Sequence, residues 1–370
     1  MIIKKITAIP VLGPRKQVYG RVYESGLGAA VMSEHGIILI ETDSGIVGIG
    51  EISSIFKRRG KLLCREVDEI LAPTLIGEDP FRIAYLVRKM ESALDGSEPA
   101  KAGLEMALFD IVGKALNTPV YNLLGGMVRE RIALSYSIPF GTPEEMAAFG
   151  AEKVREGHRT VKVKVGRDRT SDVSAVKEVR NAIGLDVKLR IDANMGWRTA
   201  KEAISIIHEM EKYNPEIVEQ PLPPRELDAI AEIRRAVTVP IMVDESVWGP
   251  RDAMEVIRRG AADVVNVYVS ESGGLLNASR IFSTCELAGI PCMIGSMPEF
   301  GIGTAAHIHL GVAMTNLGPD SDACGVLYHA EDLLTEPLKI ERGFSYPPVG
   351  PGLGVSINPQ TLERWRIKDR

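Results

Sequence analysis

The chain has 370 residues, of which 45% are hydrophobic and 25% charged, and its formal net charge is −5 at pH 7. This composition is typical of a globular protein and excludes disordered, collagen-like and low-complexity chains. The basic run at 57–59 (Lys-Arg-Arg) is too short for a polyanion-binding patch and is interpreted as a solvated loop. We therefore expect neither nucleic acid nor a membrane surface as a partner.

The four cysteines are widely spaced and form no CxxC pair, which is typical of a reduced protein rather than a disulfide scaffold. No stretch approaches the roughly 18 apolar residues that a transmembrane helix needs. The N-terminus also lacks the apolar region of a signal peptide. These features predict a soluble, cytoplasmic protein.

Residues 1 to about 125 are predicted to contain strands first and helices after. A β-rich run covers residues 2–12, and residues 37–42 and 46–49 flank the turn signal Asp43-Ser44-Gly45, which predicts a hairpin. From 62 to 116, apolar residues recur three and four positions apart, as in amphipathic helices. This order of elements indicates an α+β unit.

From Arg131 onward, short apolar strands alternate with amphipathic helices. The predicted strands are residues 133–138, 160–165, 188–191, 217–219, 241–243, 264–269, 291–295 and about 312–316. Eight such strands predict a parallel (β/α) barrel. An open doubly wound sheet has the same alternation, but no GxGxxG follows the first strand, which disfavours dinucleotide binding. The Pro- and Gly-rich residues 336–370 are expected to pack back on the first unit.

Three acidic residues follow three successive predicted strands. Asp192, Glu219 and Asp244 are separated by 27 and 25 residues, about one βα module each. Because the carboxyl ends of barrel strands meet at one mouth, these carboxylates are expected to converge there and to repel one another. A hard divalent cation relieves such repulsion, and oxygen-only ligands favour Mg²⁺ over zinc. The alternative is that each acid caps a helix or lies in a solvated loop.

Two lysines alternate on the second predicted barrel strand. Lys162 and Lys164 therefore point to the same side, which in a barrel is the interior. Facing a bound anion, they would repel each other, and together with burial this would lower the pKa of one lysine enough for it to act as a base. The alternative is that both face outward and form ion pairs with the surrounding helices.

Several motifs together resemble the enolase superfamily, in its muconate-lactonising and mandelate-racemase-like branch. The matching segments are LEMALFDIVGKALNTPVYNLLGG (104–126), VKVKVG (161–166), RIDANMGW (190–197), VEQPLP (218–223), MVDES (242–246), SESGGL (270–275), GSMPEFGIGTAAH (295–307) and GPGLGV (350–355). The resemblance implies a modified barrel (126–335) under an α+β capping domain (1–125) that is completed by the C-terminal segment (336–370). It also implies a homo-oligomer.

The resemblance further implies roles for the strand-end residues. Asp192, Glu219 and Asp244 match the Mg²⁺ ligands, Lys164 matches the base, and Lys162 matches the lysine that faces the substrate carboxylate. The implied chemistry is removal of the proton α to a small carboxylate through an enediolate that the metal stabilises.

Loops around 15–26 and 51–58 match the segments that select the substrate in this family. The first of them contains Arg15 and Glu24, and we predict substrate contacts for its Tyr19, Arg21 and Tyr23.

One residue departs from the family pattern. Racemases and epimerases of the lysine–lysine type have a second lysine on strand six, where this chain has Tyr268. A tyrosine, whose ordinary pKa is near 10, is a poor substitute for an ammonium group. The departure favours one-base chemistry, and the prediction is a lyase that dehydrates a hydroxy acid, with Lys164 as base and Tyr268 assisting the departing hydroxide. The alternative is an isomerase, either a cycloisomerase or a racemase; Tyr268 could also be a packing residue only.

Two acids near the eighth predicted strand, Asp320 and Asp322, match a region that holds the α-ammonium group in relatives acting on amino acids. They suggest an amino- or imino-acid substrate such as a hydroxyproline, although the pair could instead form a turn and helix cap. Glu299 follows the seventh strand and is expected to reach the substrate as well.

Overall fold

The computed structural model describes residues 1–53 and 59–368. The N-terminal unit is an antiparallel sheet in the order β1-β6-β7, with helices packed on it. Its strands are β1 (Ile3–Pro14), β2 (Gln17–Val18), β3 (Arg21–Val22), β4 (Glu24–Ser25), β5 (Gly28–Ala29), β6 (Met32–Thr42) and β7 (Val47–Ile52). Its helices are α1 (Gly60–Glu66), a π-helical turn (Val67–Leu71), α2 (Ala72–Leu75), α3 (Ile83–Ala93), α4 (Glu98–Ala115) and α5 (Val120–Leu123).

The predicted hairpin is confirmed by the pairing of β6 with β7 across the turn at 43–45. The first strand, however, does not stop at Gly13-Pro14 but pairs with β6 as far as Pro14 and Met32. Helix α4 packs very closely on this sheet. A Cβ atom at Gly50 of β7 would overlap the carbonyl oxygen of Gly103, so the contact requires glycine at this position.

The second unit is a curled parallel sheet of seven strands in the order β9 to β15. Its strands, with one short preceding strand, are β8 (Ile132–Ala133), β9 (Ser135–Ile138), β10 (Thr160–Lys164), β11 (Lys188–Asp192), β12 (Ile217–Glu219), β13 (Ile241–Val243), β14 (Val264–Val267) and β15 (Cys292–Ile294). Its helices are α6 (Pro143–Arg155), α7 (Arg169–Ile183), α8 (Ala200–Glu211), α9 (Leu227–Ala236), α10 (Pro250–Arg259), α11 (Leu275–Leu287) and α12 (Gly301–Ala313). The architecture is a modified (β/α) barrel with an N-terminal α+β domain, as predicted.

The eighth predicted strand, at 312–316, is wrong. Every residue of α12 is buried, so the helix shows no polar face and its apolar end resembles a strand in sequence. The barrel closes instead through the irregular segment that follows. Ser321 bridges to Leu134 beside β9, and the Asp322 amide donates to the Ile294 carbonyl of β15 at 2.7 Å.

The C-terminal segment contains β16 (Ile340–Glu341), β17 (Phe344–Ser345) and α13 (Pro359–Trp365). Strand β17 pairs with β8 of the barrel, whereas Arg366 forms a bridge with Val11 of β1. The segment therefore contacts both units. In the part of the chain described here, no helix is long and apolar enough to cross a membrane.

Buried carboxylates of the N-terminal unit cap helices of the barrel. Glu51 accepts from the Phe300 and Gly303 amides, both at 2.7 Å, where α12 begins. Glu105 accepts from the Leu275 and Leu276 amides where α11 begins. Because both acids are fully buried, these bonds fix the N-terminal unit over the mouth of the barrel.

Candidate active site

The three predicted acids end neighbouring strands at the mouth of the barrel. Asp192 pairs in register with Lys164 on one side and with Glu219 on the other, and Asp244 follows β13 directly. All three side chains are buried, with at most 4% of Asp244 exposed. The three acids therefore lie together at the barrel mouth, next to the end of β10, as the positions of the strand ends predicted.

Both lysines point into the barrel and contact these acids. Lys164 Nζ donates to Asp192, and Lys162 Nζ lies 3.1 Å from Glu219 Oε2 and 3.6 Å from Asp192 Oδ2. Lys162 Nζ also donates to Asp322 Oδ2 at 2.7 Å. The alternative in which both lysines face outward and form ion pairs with the surrounding helices is excluded by these contacts with the strand-end acids.

The expected lowering of a lysine pKa is wrong for the side chains as they stand. Burial lowers the pKa of Lys164, as does the charge of Lys162, but Asp192 together with Tyr23 and Glu219 outweighs them, so the pKa is raised. The pKa of Lys162 is raised well above its ordinary value for the same reason, with Asp322 as the main opposing charge. The sequence argument counted the two cations without the acids that surround them.

Burial and neighbouring charges shift the pKa values of the three carboxylates. Burial and the charge of Asp192 raise the pKa of Glu219 well above its ordinary value. Burial and the charge of Glu245 do the same to Asp244. The pKa of Asp192 is lowered, since burial is outweighed by Lys164 and Lys162. A cation placed between neighbouring carboxylates favours their charged forms and relieves their repulsion.

The donor set fits a hard divalent cation in chemistry, because it consists of carboxylate oxygens. The Oε2 atom of Glu245 is also buried and accepts no hydrogen bond from the described residues, and Glu219 Oε2 has an ion pair with Lys162 at 3.1 Å. In geometry the set is not ready: among residues 1–53 and 59–368, no group of three Asp, Glu, His or Cys side chains is arranged to hold a metal ion. As the side chains stand, Lys164 donates to Asp192 Oδ2 and Tyr268 donates to Asp244 Oδ2.

Tyr268 lies in the same cluster. Its hydroxyl donates to Asp244 Oδ2 at 2.9 Å and is 3.3 Å from the amide nitrogen of Asn266. Burial, with Asp244 and Glu219 nearby, raises the pKa of Tyr268 well above its ordinary value. The side chain is therefore a neutral hydrogen-bond donor facing the site, and not only a packing residue.

A cavity of about 50 Å³ lies between the barrel mouth and the N-terminal unit. The barrel contributes Lys162, Lys164, Asp244, Tyr268 and Asp322, and the N-terminal unit contributes Arg15, Tyr23, Ser25 and Leu27. This volume holds only a few water molecules.

The predicted substrate contacts from the first loop divide into two groups. Tyr23 lines the cavity, and its hydroxyl donates to Ser137 Oγ at 2.9 Å. Tyr19 packs edge-on against Phe149, away from the cavity. Arg21 is exposed and forms a bidentate ion pair with Glu145. Residues 54–58 of the second predicted loop, with Lys57 and Arg58, lie outside the described residues.

Of the three predicted acidic substrate contacts, one lines the cavity and two do not. Asp322 lines the cavity beside Lys162, but Asp320 accepts from Thr160 Oγ1 at 2.6 Å, at the start of β10 and so at the other end of the barrel. Glu299 does not line the cavity. It is fully buried and accepts from the Met297 amide at 2.6 Å and from Ser296 Oγ at 2.7 Å, which fixes the loop after β15.

Asn266 was not selected from the sequence. It lies two positions before Tyr268 and donates to Glu219 Oε1 at 3.3 Å, a position that strand alternation could have revealed. Arg15, which the resemblance places in a substrate-selecting loop, reaches the cavity from the end of β1.

Comparisons with known proteins agree with this arrangement. Residues 26–125 match the family "Mandelate racemase / muconate lactonizing enzyme, N-terminal domain", and residues 145–361 match "Enolase C-terminal domain-like". The chain belongs to the mandelate racemase and muconate lactonizing branch of the enolase superfamily.

Several relatives have stated activities. The N-succinyl-L-Arg/Lys racemase of Bacillus cereus is 32% identical over 334 residues, which cover 90% of each chain. Its crystal structure has a TM-score of 0.95, 29% identity, and covers 100% of this chain and 99% of that one. The muconate cycloisomerase 1 of Rhodococcus opacus is 33% identical over 81% of this chain and 80% of its own.

A dipeptide epimerase of Enterococcus faecalis was solved with Mg and a dipeptide, and its chain has a TM-score of 0.91 and 32% identity, covering 96% of this chain and all of its own. The activities named for these relatives are those of isomerases, so they favour the isomerase alternative over the predicted dehydratase.

Proposed function

We propose that this protein removes the proton α to a substrate carboxylate, with Lys164 as the base, and that the overall reaction is an isomerisation. The observation that supports the proposal best is the position of Lys164. Its ammonium group is buried at the cavity wall, next to Asp192 and beside a second lysine. Once deprotonated, a lysine that faces the cavity can accept a weakly acidic proton from a molecule bound there.

The residues around Lys164 can change its basicity. As the side chains stand, Asp192 keeps the lysine protonated. If Asp192 turns away, the largest of the effects that raise the pKa of Lys164 is removed, whereas burial and the charge of Lys162 continue to lower it against the smaller opposing effects of Tyr23 and Glu219. Asp192, Glu219 and Asp244 would hold a bound Mg²⁺, which supplies positive charge next to the substrate carboxylate as the α-proton is lost. Lys162, anchored by Asp322, adds a second positive charge for the same carboxylate.

The relatives support the isomerase assignment, and Tyr268 favours one kind of isomerisation over another. Inversion at the α-carbon needs a proton donor or acceptor on each face of the substrate. Where the lysine–lysine type has its second lysine, this chain offers a phenol with a raised pKa, bound to Asp244. Cycloisomerisation needs only one base, because the same group can take and return the proton. We therefore favour cycloisomerisation over racemisation.

Dehydration is a second candidate, and Tyr268 is the observation that favours it. Lys164 would take the α-proton, the bond from the β-carbon to the hydroxyl oxygen would break, and the Tyr268 hydroxyl would give its proton to that oxygen to form water. The raised pKa of Tyr268 makes this last transfer difficult. The isomerase assignment is therefore preferred.

The test is mass spectrometry of a carboxylate panel incubated with enzyme and Mg²⁺ in D₂O. The panel contains cis,cis-muconate, N-acyl amino acids, dipeptides and hydroxyprolines. A product of unchanged composition that has gained deuterium at the α-carbon supports the isomerase, whereas loss of water supports the dehydratase. Lys164→Ala should abolish both signals. Lys177→Ala, which removes an exposed lysine paired with Glu178, should abolish neither. Deuterium uptake that persists in Lys164→Ala would refute the assignment of the base.

A further inference from the structure

Gln220 connects the loops that follow the three acid-bearing strands. It comes directly after Glu219 at the end of β12 and is fully buried. Its side-chain Oε1 accepts from the Asp244 amide at 2.8 Å and from the Ser246 amide at 3.3 Å, both just after β13. Its backbone carbonyl accepts from the Met195 amide at 2.9 Å, in the loop after β11. One residue therefore joins the ends of β11, β12 and β13.

The hydrogen bonds determine which way the Gln220 amide faces. Its Oε1 lies against two backbone N–H groups, which can only donate, so an oxygen must occupy this position. Its Nε2 donates to the Leu222 carbonyl at 2.7 Å, which can only accept. The backbone of Gln220 has φ +35°, a left-handed conformation that is uncommon for a residue with a side chain. This unfavourable conformation is kept at the residue whose side chain bonds the loop after β13.

Gln220 acts on the site through Asp244 and not through the substrate. The side chain is uncharged, is not exposed and does not line the cavity. It holds the backbone from which the Asp244 carboxylate extends, whereas the Tyr268 hydroxyl donates to the carboxylate itself. When a cation replaces the contact with Tyr268, the hydrogen bond from the Asp244 amide to Gln220 can remain in place.

We propose that Gln220 is a positioning residue that sets the preference of the metal site for Mg²⁺ over Ca²⁺. The proposal rests on the part of the proposed function that assigns Asp244 to the metal. Mg²⁺ requires nearly ideal octahedral ligands at about 2.0–2.1 Å, whereas Ca²⁺ accepts variable geometry at about 2.3–2.6 Å. A carboxylate whose backbone is free to shift therefore weakens Mg²⁺ binding more than Ca²⁺ binding.

The experiment measures Mg²⁺ and Ca²⁺ binding by calorimetry, without substrate, for wild type and two variants of Gln220. Gln220→Met keeps the length of the side chain and removes its hydrogen-bonding groups. Gln220→Asn keeps the amide and suits a left-handed φ, but it is one methylene shorter and should not reach the Asp244 amide. We expect both variants to bind Mg²⁺ about 10-fold or more weakly, the usual effect of losing a group that orients a metal ligand. Ca²⁺ binding should weaken less, so that the ratio of the two dissociation constants falls about threefold or more.

The matched control is Asn316→Leu at the opposite end of the barrel. The Asn316 side-chain amide donates to the Ile290 carbonyl at 2.8 Å, just before β15 begins. The control and the Gln220 variants should all unfold at lower urea concentrations than wild type, because each leaves a backbone group without its partner. Only the Gln220 variants should change the ratio of the two dissociation constants. A Gln220 that only stabilised the fold would leave this ratio unchanged, as in the control.

The proposal is wrong if a folded Gln220 variant keeps the wild-type ratio or weakens the binding of both ions by the same factor. Asp244→Asn separates this failure from failure of the proposed metal site. If Asp244→Asn binds Mg²⁺ as tightly as wild type, Asp244 is not a ligand and both proposals fail. If Asp244→Asn binds Mg²⁺ more weakly while the Gln220 variants bind as wild type does, only the role of Gln220 is refuted.

Discussion

Replacement of Glu105 by glutamine should change how the stability of the protein depends on pH. The Glu105 carboxyl group is fully buried and accepts two amide hydrogens at the start of α11. Burial raises its pKa from 4.5 to about 8, against the opposing effect of these two hydrogen bonds. Since the pKa is higher in the folded than in the unfolded chain, Glu105 contributes stability that is lost as the pH rises from about 4.5 through about 8.

A pKa difference of this size corresponds to about 3–5 kcal/mol in the free energy of unfolding. Glutamine does not titrate, so Glu105→Gln should lack this loss. Near pH 5, where the folded carboxyl is neutral, the variant should be less stable by about 1–3 kcal/mol, because the glutamine side chain has one acceptor oxygen for the two amides of Leu275 and Leu276. Between pH 5 and pH 9 the variant should gain stability relative to wild type by a few kcal/mol. A variant that instead becomes less stable relative to wild type with rising pH would show that the helix amides outweigh burial, and would refute the reasoning.

Three further changes test other parts of the structure. Tyr268→Phe removes the donor to Asp244 but leaves Lys164, so we expect α-deuterium exchange within about threefold of wild type and any water loss reduced about 100-fold; unchanged water loss would remove Tyr268 from the mechanism. Asp244→Asn removes a proposed metal ligand and should diminish the rise in unfolding temperature that Mg²⁺ produces, and an equal rise in both proteins would argue against this ligand. Gly274→Ala should cost about 2 kcal/mol or more in urea unfolding, because Gly274 has φ +133° and a Cβ atom would overlap the Glu105 carboxylate. A cost below about 0.5 kcal/mol would contradict this packing.

Strand spacing was the strongest source of correct prediction. Asp192, Glu219 and Asp244 could be placed together because parallel strands bring residues one module apart to the same mouth. The same logic placed Lys162 and Lys164 inside the barrel. Periodicity failed where burial is complete, as at the end of α12, since a helix without a polar face gives no 3.6-residue pattern.

Residues that reach the site through irregular segments were harder to predict. Asp320 and Asp322 are two positions apart, yet one lies toward the base of the barrel and the other at the cavity, because the segment runs alongside the barrel strands toward the mouth. Glu299 follows a barrel strand, but its carboxylate turns back to its own loop. Arg15 depends on how two distant units meet, and spacing within one segment contains no information about that contact.

The acids that cap barrel helices from outside also limit how this enzyme can be recombined with its relatives. Without residues 1–125, the first turns of α11 and α12 would lose the acceptors that Glu51 and Glu105 provide. A foreign N-terminal unit grafted to change specificity would have to supply an acid at both positions, in addition to a new binding loop. The part of the protein that contributes Arg15 and Tyr23 to the cavity is therefore expected to be inherited together with the barrel that it covers.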